Sequence, residues 1–149
     1  MTQSEKALKL HEEWNGKITT TPKCEVKSRE DLAIAYTPGV AEPCKVIAAN
    51  KEEAYRYTIK SNTVAVVSDG SAVLGLGNIG AEAAMPVMEG KAVLFKEFGG
   101  VNSVPICLYT QDTEEMIKTG QCFPNLFRYT GYRRNYQNRS QYCPCFWRH

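Results

Sequence analysis

The chain has 149 residues, 43% of them apolar and 23% charged, which describes one ordinary globular domain and excludes global disorder. A net charge of +2 points to no nucleic acid and no membrane surface as partner, since either would call for a clustered basic face. No apolar run approaches the roughly 20 residues needed to cross a bilayer. The opening MTQSEKALKLHEEW lacks an apolar core segment and is not read as a signal peptide. Six irregularly spaced cysteines fit reduced thiols and a cytoplasmic location.

In chain order, Thr2-x-x-Glu5 has capping-box spacing, and Ala7, Leu8, Leu10 and Trp14 follow on a helical period that Gly16 stops. Lys17–Lys27 contains Pro22 and reads as a connector or edge strand. Ser28-x-x-Asp31 caps a short helix ending at Tyr36, because Thr37 precedes Pro38 and Gly39. Glu42-Pro43 starts the next helix, and Asn50 caps another over Lys51–Tyr57.

The stretch from Thr63 to Gly100 organises the rest. Thr63–Asp69 reads as a strand buried on both faces, Asn78–Met88 as a helix closed by Pro86 and Gly90, and Lys91–Glu97 as a second strand. Strand, glycine loop, helix and strand make a βαβ unit, hence a parallel sheet in an α/β fold. Val104–Leu108 is expected as a third strand, and Asp112-x-x-Glu115 opens a helix with Met116 and Ile117.

Four motifs invite chemistry. Gly75-x-Gly77-x-x-Gly80, with Glu97 as a distant acid, has dinucleotide-fingerprint spacing, but the strand ends at Asp69-Gly70, which favours a tight backbone turn. Tyr36, set before a Pro-Gly turn, suits a general acid, or a packing tyrosine at a helix end. Lys91, placed between Gly90 and the AVLF run, suits a base at a strand mouth, or an exposed lysine there. Cys143-x-Cys145 with His149 and a lone Cys122 is half a zinc site at best, so no metal site is expected.

Longer strings carry a resemblance. LAIAYTPGVAEPCK, VAVVSDGSAVLGLGNIG, PVMEGKAVLFKEF and VPICL resemble, in order, the N-terminal domain of bacterial malic enzymes as far as about Thr119. The resemblance implies a small, mainly parallel sheet flanked by helices. It also implies oxidative decarboxylation of L-malate to pyruvate and CO2 with NAD or NADP and Mg2+ or Mn2+. Oxaloacetate decarboxylation within the same family, or a non-catalytic interaction fragment, are the alternatives. The family's proton-donor tyrosine falls on Tyr36, and its general-base, substrate-contacting lysine on Lys91. The family assembles into homo-oligomers. An arginine that clamps malate in larger members is replaced here by Ala72. The same resemblance assigns the glycine loop to the substrate domain. The metal ligands, a Glu-Asp pair after an APTFGGI-like strand and a later aspartate, are missing, as is the nucleotide domain, so neither cofactor site is expected here.

From Gly120 the sequence loses both periods and becomes dense in Tyr, Arg, Cys and Trp. Reading Gln141–His149 one nucleotide later permits Asn-Ile-Ala-Pro-Ala-Phe-Gly-Gly. The same shift over Gly120–Asn138 permits a near repeat of Val101–Lys118. The expected organisation is therefore an incomplete substrate domain over 1–119 and an out-of-frame, frameshifted tail over 120–149, the whole chain being a fragment.

Overall fold

A computed structural model describes residues 1–121. The chain runs α1 (Gln3–Trp14), α2 (Arg29–Ala35), α3 (Ala41–Ala49), a 3-10 turn (Lys51–Glu53), α4 (Ala54–Tyr57), a second 3-10 turn (Ile59–Ser61), β1 (Thr63–Ser68), α5 (Gly80–Gly99), β2 (Asn102–Cys107) and α6 (Thr113–Gln121). The N-terminal signals act as read. Thr2 and Glu5 form a reciprocal capping box on α1, and Ser28 and Asp31 form one on α2. Glu115 N–H donates to Asp112 Oδ1 at 2.9 Å at the start of α6. The stretch after Lys17 is an irregular connector, not an edge strand.

The centre of the molecule is a βαβ unit. β1 and β2 pair in parallel, in a register that sets Thr63 beside Asn102 and Ser68 beside Cys107. Bonds from Asn102 N–H to Asn62 O and from Leu108 N–H to Ser68 O extend the ladder at both ends. Helix α5 packs on this two-stranded sheet, with Ala81, Ala84, Met88 and Ala92 buried beneath it. Their three- and four-residue spacing is one face of a helix. Ala84 is fully excluded from solvent.

Three sequence readings are corrected here. Lys91–Glu97 is not a strand; it is the continuation of α5, which runs unbroken through Pro86 and Gly90. The helix stops where Gly100 takes the left-handed conformation (φ 63°) and its N–H caps Lys96 and Phe95 carbonyls. The second strand of the βαβ unit is therefore the segment expected to be the third, beginning at Asn102. Lastly, β1 is not buried on both faces: only Thr63 is buried and the remaining residues are half-exposed.

Candidate active site

The glycine loop between β1 and α5 closes on itself. Gly70 (φ 71°) forms its neck, its carbonyl accepting from the N–H groups of both Ile79 and Gly80. Val73 and Gly77 exchange two backbone bonds of 2.8 Å, and Leu76 N–H also donates to Val73 O. A dinucleotide cradle needs N–H groups turned toward a pyrophosphate and glycines that admit it. In this loop the N–H groups of Val73, Leu76, Gly77, Ile79 and Gly80 are spent on its own carbonyls. A Cβ at Gly75, Gly77 or Gly80 would meet nothing within 4 Å. Glu97, the would-be ribose acid, lies near the end of α5 and not at a strand end. The loop is thus a turn closed by its own backbone bonds.

The loop is fastened from outside by a reciprocal amide pair. Asn78 Nδ2 donates to Gln111 Oε1 at 3.2 Å, and Gln111 Nε2 donates to Asn78 Oδ1 at 3.0 Å. Beside the neck, burial raises the Asp69 carboxyl, but hydrogen bonds from the Ser71 N–H and hydroxyl outweigh it and hold the group below its usual value. Across the same edge, a hydrogen bond to Glu82 and that residue's charge push the Tyr109 phenol upward. Burial alone raises the Cys107 thiol.

Tyr36 is the C-terminal cap of α2, in a corner whose Thr37–Pro38 peptide is cis. Val40 N–H donates to Tyr36 O at 2.7 Å and Gly39 N–H to Ala33 O at 2.8 Å, so the corner is a closed backbone turn. The Tyr36 ring is 66% exposed. Among the described residues its hydroxyl makes no hydrogen bond.

Lys91 occupies the fourth turn of α5, well inside a helix and not at the strand mouth expected of it. It is half-buried and forms no ion pair or hydrogen bond among the described residues. Its neighbours at helical spacing are apolar: Met88 is buried, Val87, Leu94 and Phe95 are partly exposed, and Phe98 is 85% exposed. No hydrogen bond joins Tyr36 to Lys91, and α2 lies outside the packed layer of α5, β1 and β2. The contacts that fix α5 from outside come from residues with no sequence signal. Lys17 N–H donates to Glu89 Oε2 at 3.2 Å, and Lys17 Nζ donates to Pro86 O at 2.7 Å. They lie some seventy positions apart, where neither periodicity nor spacing reaches.

Among the described residues no group of three or more His, Cys, Asp or Glu side chains is placed to hold a metal ion. No helix among them is long and apolar enough to cross a membrane. The Cys122, Cys143, Cys145 and His149 reading falls outside the described residues.

Comparison with known proteins places the arrangement. The family model for the malic enzyme N-terminal domain matches residues 15–144. The bifunctional malic/malolactic enzyme of Bacillus subtilis is 56% identical over 119 residues, covering 80% of this chain and 29% of that one. The NAD-dependent malic enzyme of Geobacillus stearothermophilus is 66% identical over 103 residues, covering 69% and 22% respectively. The crystal structure of the malic enzyme from Pyrococcus horikoshii superposes with a TM-score of 0.82 at 53% identity, covering 85% of this chain and 30% of that one. The chain thus spans less than a third of the length of these relatives.

Proposed function

Since the chain belongs to the malic enzyme family, we propose that it supplies the proton-transfer half of an oxidative decarboxylation of L-malate, with Lys91 as base and Tyr36 as acid. The observation that carries this reading is Lys91 itself. It is a half-buried amine on α5, with apolar residues at helical spacing and no carboxylate engaging it among the described residues. An amine so placed is available to a substrate hydroxyl, whereas a paired one is not. In the reaction it takes the hydroxyl proton through Nζ and contacts the substrate there. After CO2 leaves, the Tyr36 hydroxyl gives a proton to the enolpyruvate carbon.

NAD or NADP, the nucleotides named for the relatives, would accept the hydride, and a divalent Mg or Mn ion would polarise the substrate oxygens. The 149-residue chain is proposed to lack turnover on its own. Its place is the cytoplasm. Joining this chain to the remaining part of the Geobacillus relative tests the roles. Lys91→Ala should lower kcat by about 10²- to 10⁴-fold, the range of a general base, and Tyr36→Phe by a similar factor. Rates within threefold of the parent for both variants would refute the assignment. Carbon dioxide release from oxaloacetate without nucleotide, absent from malate, would favour decarboxylation alone.

A second reading, self-association, is favoured by the uncovered apolar side chains: Leu74 is fully exposed, and Ile34 and Phe98 largely so. Size-exclusion chromatography reads it directly. The division at residue 119, with a frameshifted tail, is likewise proposed. The family match runs on to residue 144, and the gene sequence decides whether the shifted frame encodes the expected residues.

A further inference from the structure

Helix α5 carries its two weakest helix formers within one turn of each other. Pro86 has no N–H to give to the carbonyl four residues before it, and Gly90 gains most freedom when a helix opens. Lys91 follows immediately. On one side this stretch is held by the sheet, through Ala84, Met88 and Ala92. The opposite face, formed by Pro86, Glu89 and Gly90, is held among the described residues by Lys17.

Lys17 binds that face from both of its ends, the backbone N–H on Glu89 Oε2 and the ammonium on Pro86 O. Gly90 follows the two acceptors, and a Cβ there would stand 3.9 Å from Lys17 Nζ. The chain reaches this position through Gly16, whose φ of 102° sets the turn out of α1. We propose that Lys17 splints α5 across the Pro86–Gly90 turn and so fixes the direction in which Lys91 leaves the helix. Lys17 is thus a positioning residue, acting on Lys91 through the backbone. Its consequence for catalysis rests on Lys91 being the base; the splint does not.

The test uses the 149-residue chain as it stands. Lys17→Met keeps the length of the side chain and removes its donor. Amide exchange at Gly90, Lys91 and Ala92 should then quicken by about tenfold, the equivalent of roughly one hydrogen bond, while β1 and β2 stay protected. Lys17→Arg should restore protection, because a guanidinium still donates to a carbonyl. Gly90→Ala added to Lys17→Met should restore it too, by strengthening the helix at its weak point. The pH profile of Lys91 acylation, read by mass spectrometry, should move with Lys17→Met and return with Lys17→Arg. Exchange that rises only within residues 3–28 would make Lys17 a mere anchor for α1 and overturn the proposal. So would exchange rising equally over β1 and β2, or an unmoved Lys91 profile. Failure of Lys91→Ala to slow the joined enzyme would refute the base and leave these results standing.

Discussion

A Cβ built on Gly39 would stand 2.6 Å from the Ile34 carbonyl oxygen and 2.7 Å from that of Ala33. Backbone atoms cannot step aside, so Gly39→Ala should open the corner that displays Tyr36, at about 2 kcal/mol. Chemical denaturation with α2 amide exchange as the local probe checks this. Gly70 is more constrained, since its Cβ would lie 2.0 Å from Gly80 O at a positive φ of 71°. Gly70→Ala should cost on the order of 3 kcal/mol and loosen the neck of the glycine loop. Asp31 adds a pH dependence. Hydrogen bonds from the Ser28 hydroxyl and the Lys27 N–H hold its carboxyl below the usual value. A lowered carboxylate contributes stability above its unfolded pKa and loses it as pH falls through the folded one. Protection of α2 amides should therefore be flat near neutrality and decline on acidification below the ordinary carboxylate range. A profile unchanged in acid would contradict this.

At the scale of the element, α5 shows what the sequence could and could not tell. Capping boxes at Thr2 and Ser28, the Pro-Gly corner after Tyr36 and the strand from Thr63 were legible, because each depends on residues within a few positions of one another. The run Ala92–Phe95 was not, since four apolar residues in succession satisfy a strand as readily as a helix, and Pro86 and Gly90 look like stops. The deciding pattern, Ala81, Ala84, Met88 and Ala92, exists only if the helix continues past both. Lys17 Nζ would stand 3.9 Å from a Cβ at Gly90, a nearness that local pattern cannot reveal. Lys91 stands out both by its place between Gly90 and the AVLF run and through the family string, yet that place is inside a helix and not at a strand mouth. Met88, 3% exposed at the centre of this face, is the sharpest probe of the packing. Met88→Ala should destabilise the chain by about 2–4 kcal/mol, read from the shift in urea midpoint.

For the whole molecule, burial is concentrated in the βαβ unit. Its ladder, its helix and its closed loop satisfy one another, whereas α1 and α2 bury no side chain among the described residues. The same division predicts thiol chemistry. Cys24 and Cys44 are exposed, while Cys107 on β2 is half-buried with its thiol pushed up by burial. Alkylation at neutral pH should label the first two well ahead of Cys107, with the order lost in denaturant. Equal rates in the native chain would show that β2 is not covered as described. The proposal about function is that Lys91 and Tyr36 serve as base and acid, while among the described residues no group of three or more His, Cys, Asp or Glu is placed to hold a metal ion. Its most direct test is nicotinamide reduction by the purified 149-residue chain with L-malate, Mn2+ and NAD or NADP. The account predicts no reduction above the rate without protein. Turnover in the ordinary enzymatic range, about 1 s⁻¹ or faster, would contradict it.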